Sequence, residues 1–96
     1  MAMHNPAHPG EILSELIIKS LNLSLTETAD RLGVSRTSLS KIVNGRGPLT
    51  AEMALRLERV FSKPDAAHWL RLQNAYDLWQ ANQRQLTVKP LSEKAA

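Results

Sequence analysis

The sequence predicts an all-α protein of five helices. Apolar residues recur at the spacing of helical turns in five segments, and there is no convincing strand. Residues that favour helix starts precede these segments, and most of the four glycines and five prolines mark helix ends. A chain of 96 residues, 43% of them hydrophobic, is long enough for one domain around one core.

The first helix is predicted to begin at Pro9, whose missing N–H costs nothing at that position, and to run to about Ser20. Its apolar positions at helical spacing are Ile12, Leu13, Leu16, Ile17 and Leu21. The second helix begins with a capping box, in which the Ser24 hydroxyl accepts from the Glu27 N–H and the Glu27 side chain reaches back. It ends at Gly33, because glycine accepts the left-handed conformation found at helix ends.

Ser35 is predicted to cap a third helix that stops at residues 44–45. Its inward side chains are Leu39, Ile42 and Val43. Thr50 is predicted to cap a fourth helix, from residue 51 to about 61. The apolar face of this helix consists of Met53, Ala54, Leu57 and Val60. Its charged face consists of Glu52, Arg56, Glu58 and Arg59 and is expected to be solvated, with a phosphate contact from Arg56 as the alternative, because this helix follows the basic segment.

The fifth helix is predicted to open at Pro64 and Asp65 and to run to about Gln83. Residues 84–96 lack a clear period and are predicted to form a partly ordered C-terminal tail. The chain is therefore predicted to be a single domain, 1–96, with its five-helix bundle over residues 9–83. Helices two and three, at about residues 24–44, are predicted to form a helix-turn-helix, because so short a connection with glycine at the bend makes the helices cross steeply.

Several classes of protein are disfavoured by composition. The chain has no cysteine, so disulfides and thiolate metal sites are not available. The start, MAMHNPAHPG, lacks a basic region followed by an apolar run, and no apolar stretch approaches the roughly 20 residues of a membrane span. We therefore predict a soluble, cytoplasmic protein without a signal peptide.

No motif indicates an enzyme, a cofactor or a metal site. Ser35, Ser38 and Ser40 have no histidine nearby in sequence and no glycine-rich elbow around them, so they do not suggest a nucleophile. His4 and His8 lie four positions apart, but a zinc site needs two further ligands on a rigid frame. We assign His8 to the start of the first helix instead.

Positive charge is concentrated in one segment. The net charge is only +3, yet Arg31, Arg36, Lys41 and Arg46 lie in a stretch that has no acidic residue between Asp30 and position 52. The remainder of the chain is close to neutral. Local excess of this kind is expected where a protein meets a polyanion, although a solvated helix face is the alternative explanation of many charge runs.

The third helix has the composition of a DNA-reading helix. Its outer face is basic and polar without a carboxylate, and such a helix fits the major groove with its first residues near base edges. Arg36, Lys41 and Thr37 are predicted to contact bases, because arginine and lysine donate to guanine O6 and N7 and threonine offers a hydroxyl or a methyl. Short hydroxyl groups at a helix start and polar groups beyond its end suit phosphates, and these are Ser35, Ser38, Asn44 and Arg46.

The segment ADRLGVSRTSLSKIVNG, residues 29–45, resembles the helix-turn-helix of the XRE family, which includes phage Cro and the lambda repressor. The resemblance implies a five-helix lambda repressor-like domain that binds operators as a dimer. It also implies base contacts from Arg36, Thr37 and Lys41 and a phosphate contact from Asn44. Leu25 stands where many members have a glutamine that touches phosphate, so that contact is not carried over.

A narrower resemblance covers most of the chain. HPGEIL at 8–13, NGR at 44–46, LTAEMALRL at 49–57 and WLRLQNAYDLW at 69–79 are similar to the HigA antitoxins. These are XRE-type proteins encoded beside a RelE-like ribonuclease toxin, HigB. The resemblance implies that the protein neutralises a HigB-type toxin by binding it and, as a homodimer, represses its own operon.

An aromatic stripe lies on the fifth helix at helical spacing and consists of Trp69, Leu72, Tyr76 and Trp79. Core packing explains most such stripes. A dimer or toxin interface is the other interpretation, because tryptophan and tyrosine are common interface anchors. One stripe can serve both purposes.

Three hypotheses about function follow from the sequence. The first is a dimeric operator-binding repressor that is also an antitoxin. The second is a solo XRE-family regulator without a cognate toxin. The third is an interaction module whose helix-turn-helix no longer binds DNA, which the carboxylate-free face of the third helix disfavours.

Overall fold

The computed structural model describes residues 5–91, and these residues contain helices and no strand. The predicted all-α class is confirmed. The helices are α1, comprising Pro9–Ile12 and a π-helical segment Leu13–Ile18, then α2 (Leu25–Leu32), α3 (Arg36–Val43), α4 (Ala51–Phe61) and α5 (Ala66–Asn82).

Each helix begins at a residue whose side chain accepts a backbone N–H. The Nδ1 atom of His8 accepts from Gly10 at 2.9 Å, so the predicted role of His8 at the first helix is confirmed. The Ser24 hydroxyl accepts from Glu27 at 2.9 Å, while the Glu27 carboxylate lies 3.6 Å from the Arg31 guanidinium instead of reaching back. The other three caps are those predicted: Ser35, Thr50 and Asp65. Caps of this kind are worth about 1 kcal/mol each.

The predicted inward face of α1 is partly wrong. Leu16 and Leu21 are exposed, whereas Ile18 is buried. The cause is the π-helical segment Leu13–Ile18, after which the Lys19 N–H donates to a carbonyl five residues earlier at 3.0 Å. Because each π-helical turn holds more residues than an α-helical turn, the inward side chains shift by about one position.

The core is a single cluster of apolar side chains from all five helices and the loop before α4. Its buried members are Leu13, Ile17, Ile18, Ala29, Leu32, Leu39, Ile42, Leu49, Met53, Ala54, Leu57 and Trp69. Val60, predicted to face inward, is instead exposed, and Phe61 packs against the cluster in its place. Val60 lies in the last turn of α4, where the next residues of the chain leave the helix.

The sequence predicts that the charged face of α4 is solvated, but two of its side chains contact other parts of the chain. Arg56 Nη1 donates to the Leu32 carbonyl at 2.9 Å, and its Nη2 atom lies 2.8 Å from a Glu52 carboxylate oxygen. Glu58 accepts from the Ala66 N–H at 2.8 Å. These side chains therefore tie α4 to the end of α2 and to the start of α5.

Beyond α5, residues 85–90 form no helix. The apolar side chains of Leu86, Val88 and Leu91 are exposed. His4 and residues 92–96 of the predicted tail lie outside the described residues. The division into a bundle over 9–83 and a partly ordered tail stays a prediction. Among residues 5–91, no helix combines the length and apolarity needed to cross a membrane.

Candidate nucleic-acid interface

The bend between α2 and α3 is held by backbone hydrogen bonds around Gly33. This glycine has φ +71°, and its N–H donates to Asp30 at 3.1 Å. The next N–H, of Val34, donates to Ala29 at the same distance, so α2 ends in a Schellman motif. Ser35 then caps α3 at once. The short connection predicted for a helix-turn-helix is therefore present.

A side chain from α4 completes this bend. Arg56 donates to the carbonyls of Leu32 and Gly33, at 2.9 and 3.4 Å. Carbonyls at a helix end have no partner within the helix, and a guanidinium satisfies two of them at once. No local pattern predicts this contact, because 24 residues separate Arg56 from Leu32.

The α3 helix turns its apolar residues inward and its polar residues outward. Leu39 is completely buried, Ile42 nearly so, and Val43 packs against the core. The outward side chains share one open groove, lined by Arg36, Thr37, Ser40, Lys41, Asn44 and Arg46. The structure thus brings together all three predicted base-contacting residues and two of the four predicted phosphate-contacting residues.

The two remaining predicted phosphate contacts lie at the start of α3, outside the groove. Ser35 Oγ accepts from the Ser38 N–H at 3.0 Å and donates to the Ser38 hydroxyl at 2.9 Å. Both side chains are exposed beside the helix N-terminus, where the helix dipole attracts anions. Their predicted role stays a prediction.

The cations of this groove have no carboxylate partner in the described part of the chain. The ion pairs found among residues 5–91 involve other basic residues, not Arg36, Lys41 or Arg46. All three side chains are exposed. A groove of unpaired cations at the surface attracts a polyanion and releases the counterions that surround it.

A second Schellman motif ends α3 and fixes the backbone of the turn that follows. The Arg46 N–H donates to Lys41 at 2.8 Å, and the Gly45 N–H donates to Ile42 at 3.0 Å. Gly45 has φ +71°, a conformation that favours glycine. The amide nitrogen of Asn44 donates to two oxygens of Ser40, the carbonyl at 2.9 Å and the hydroxyl at 3.2 Å. A phosphate contact from this amide nitrogen would therefore need the Asn44 side chain to rotate.

The same turn is supported from behind by α1 and α5, a feature that sequence reasoning missed. A Cβ on Gly10 would overlap the Ile42 carbonyl oxygen, so glycine is needed where α1 meets α3. Gln73 Oε1 accepts from the Leu49 N–H at 2.7 Å, and both residues are buried. A glutamine inside an apolar helix pattern is the one local signal that could have indicated this contact.

His8 packs against this turn and against α5. Its ring lies edge-on to Tyr76, with 4.8 Å between centroids, and a Cβ on Gly45 would lie 3.8 Å from it. Burial lowers the pKa of His8 from its ordinary 6.5, while interactions with the Gly47 backbone and with nearby carboxylates act in the opposite direction. The neutral ring is required at this position, because Nδ1 must accept from the Gly10 N–H.

The aromatic stripe of α5 divides between core and surface. Trp69 is completely buried, so it belongs to the core and is excluded as an interface residue of the folded chain. Its Nε1 atom has no hydrogen-bond partner among the described residues. Leu72, Tyr76 and Trp79 are only partly buried, which leaves an exposed portion of the stripe for a partner.

Within residues 5–91, no group of three or more His, Asp or Glu side chains is arranged to hold a metal ion. His68, the third histidine, is exposed on α5, and its N–H is used by the Asp65 cap at 2.8 Å.

Comparison with known proteins finds one family over this region. A helix-turn-helix family model matches residues 15–67. Virulence-associated protein A of Dichelobacter nodosus is 42% identical over 80 residues, which are 83% of this chain and 78% of that protein.

Two solved structures share the fold. Antitoxin GraA has a TM-score of 0.80 and 40% identity, covering 84% of this chain and 86% of that chain. Antitoxin HigA of Pseudomonas aeruginosa, solved with the higBA promoter, has a TM-score of 0.79 and 34% identity, covering 90% and 98%.

These relationships confirm the resemblance seen in the sequence and the lambda repressor-like arrangement of five helices. The features that form the helix-turn-helix in this chain are the bend at Gly33, the Ser35 cap and the inward residues of α3. Together they leave the outer face of α3 exposed. The matching family and the two structures are a helix-turn-helix family and antitoxins, a non-enzymatic class of proteins. The chain belongs to the XRE-type helix-turn-helix family, with HigA and GraA antitoxins among its structural neighbours.

Proposed function

We propose that this protein is an operator-binding repressor that also acts as the antitoxin of a HigB-type, RelE-like ribonuclease toxin. The observation that carries the DNA-binding part is the groove of α3, in which Arg36, Lys41 and Arg46 converge without a carboxylate. The relative HigA was solved with its promoter, which supports the same role for this surface. We place the activity in the cytoplasm, where operator DNA is found.

In this proposal the groove divides the contacts by type. Arg36, Thr37 and Lys41 read base edges in the major groove, because they occupy the first two turns of α3. Residues at the two ends of the helix contact phosphates, and these are Ser35, Ser38, Asn44 and Arg46. Phosphate contacts fix the register of the helix, and base contacts supply the specificity.

Operator binding is proposed to require a homodimer. One reading helix is a small footprint for specific recognition, whereas two copies can read half-sites about 34 Å apart. The partly exposed residues Leu72, Tyr76 and Trp79 of α5 are the proposed surface for a second copy or for the toxin.

Toxin neutralisation is supported by the antitoxins GraA and HigA, which share the fold over most of this chain. We propose that the folded domain captures the toxin. The alternative is a solo regulator that binds DNA without a toxin.

Co-expression with the product of the adjacent gene tests the proposal. A stable complex with a RelE-like protein, which protects a palindrome upstream of the operon, is the expected result. A protected operator without any captured partner would establish the solo regulator and remove toxin neutralisation. Capture of the partner without binding to promoter DNA at low salt would refute the repressor role.

A further inference from the structure

The turn between α3 and α4, residues 44–49, carries Arg46 and is anchored at both ends. At its start, the Schellman motif holds the Arg46 backbone 2.8 Å from the Lys41 carbonyl. At its end, the Leu49 N–H donates 2.7 Å to Gln73 Oε1 on α5. We call residues 44–49 the α3–α4 turn. One of the two anchors of the α3–α4 turn is therefore a side chain of α5, a helix that contributes no residue to the DNA-reading groove.

The amide of Gln73 can adopt only one orientation. Its Nε2 atom donates to Asp77 Oδ1 at 2.8 Å, and an ionised carboxylate accepts hydrogen bonds without donating them. Rotation of the amide by half a turn would place its oxygen against that carboxylate and its N–H against the Leu49 N–H. Asp77 thus directs the acceptor of Gln73 at the α3–α4 turn.

A buried glutamine contributes little to the apolar core. Gln73 is only 7% exposed, and a buried amide is tolerated when its hydrogen bonds are made. Its hydrogen bond fixes the position of the Leu49 backbone N–H relative to α5. A residue that fixes this backbone acts on the groove through Arg46, three positions earlier.

We propose that Gln73, oriented by Asp77, is a positioning residue for the phosphate contact of Arg46. The inference rests on the proposed operator-binding function. It assigns to α5 a role in DNA affinity in addition to its contribution to the core. Arg36, at the opposite end of α3, is held by the Gly33 bend and lies outside this influence.

The expected signature is that of a lost phosphate contact. Removing one such contact lowers the slope of log K against log salt by about 0.9. If the variant and the wild type bind equally at 1 M salt, this difference in slope makes the variant bind roughly eightfold more weakly at 0.1 M salt. The loss is the same for every DNA sequence, because phosphates carry no sequence information. A change in base reading would instead act on the operator alone.

The test is a salt titration of binding to two duplexes, the promoter of the protein's own gene and a scrambled duplex of equal length. Gln73→Met is expected to weaken both by up to about eightfold and to flatten the salt slope by up to about one. Asn74→Ala, which changes an exposed amide one position along α5, is the matched control and should change neither. Thermal unfolding of each variant shows whether it is folded at the assay temperature.

A double-mutant cycle separates positioning from general destabilisation. Gln73→Met should add little to the loss caused by Arg46→Ala, whereas its effect should be additive with that of Arg36→Ala. If Gln73→Met does not fold, Asp77→Ala provides the test, because it changes an exposed position. It should weaken DNA binding in the same way, but by less. The exchange Gln73→Glu with Asp77→Asn reverses donor and acceptor and should restore part of the affinity.

The results are distinguishable. The positioning role alone is overturned if the wild type binds DNA and both Gln73→Met and Asp77→Ala bind it with the same affinity. It is also overturned if the effects of Gln73→Met and Arg46→Ala on binding are additive. Loss on the operator without loss on the scrambled duplex also overturns it. Absence of binding by the wild type to either duplex at low salt overturns the proposed function together with this inference.

Discussion

Replacement of Arg56 by alanine removes the side chain that joins α4 to the bend of the helix-turn-helix. In the wild type, Arg56 Nη1 donates to the Leu32 carbonyl at 2.9 Å, and a weaker contact of 3.4 Å reaches Gly33. Hydrogen bonds from a charged donor contribute about 1.5–3 kcal/mol each. The side chain is 37% exposed, so solvent screening places the expected loss near the lower limit of this range.

The ion pair of Arg56 with Glu52 adds little to this magnitude. The two groups lie 2.8 Å apart, but the Glu52 side chain is 74% exposed, and exposed pairs contribute about 0–1 kcal/mol. We therefore expect Arg56→Ala to lower the free energy of unfolding by about 1–2 kcal/mol, chiefly through the carbonyls left without a partner. For a domain of this size, that corresponds to a decrease in Tm of about 5–15 °C.

Urea and thermal unfolding, followed by circular dichroism, measure this effect. Arg59→Ala is the matched control, since it removes the same charge from an exposed position on the same helix. It should change the free energy of unfolding by less than about 0.5 kcal/mol. Equal effects of the two substitutions would refute the assignment of Arg56 as a cap of α2.

Three further predictions concern other parts of the molecule. Arg36→Ala should weaken binding to the operator by about 1–3 kcal/mol with little effect on a scrambled duplex, and equal losses in a titration of both would refute its base-reading role. Gly10→Ala should lower the Tm strongly, because the added Cβ overlaps the Ile42 carbonyl. The control Gly47→Ala, where there is space for a Cβ, should lower the Tm far less. Similar decreases in Tm for the two variants would contradict the close approach of α1 to α3. Because burial lowers the pKa of His8, the unfolded state binds the proton more tightly. The His8 contribution to stability is therefore complete above pH 6.5 and decreases as the pH falls from 6.5 through the folded-state pKa. Urea unfolding between pH 5 and 8 should show this dependence reduced in His8→Asn, and the same dependence in both proteins would contradict it.

The helix boundaries were accessible from the sequence because caps are local. Ser24, Ser35 and Thr50 each accept an N–H within three residues of themselves, so the pattern of residue types contains the interaction. The glycine that ends α2 and the basic outer face of α3 are likewise features of short segments. These were sufficient to predict the fold class and the residues of the candidate groove.

The sequence-based predictions that the structure corrects or completes have separate causes. The inward face of α1 was misassigned at Leu16 and Leu21 because a π-helical segment alters the period, and an apolar pattern is interpreted with the α-helical period. Val60 fits the apolar period of α4 but lies in its last turn, where the chain leaves the helix and Phe61 packs against the core instead. The sequence does not distinguish a core position from an interface position for Trp69, because both favour aromatic side chains, whereas its complete burial in the structure assigns it to the core.

By itself, the sequence determined that the protein is a bundle of helices with one basic, carboxylate-free reading helix, because propensity, capping and charge act over a few residues. Only the tertiary structure decided how that helix and its turn are held. Arg56 reaches Leu32 and Gln73 reaches Leu49, each across 24 residues of chain. Such partners are brought together by the packing of α4 and α5, and no local pattern specifies them.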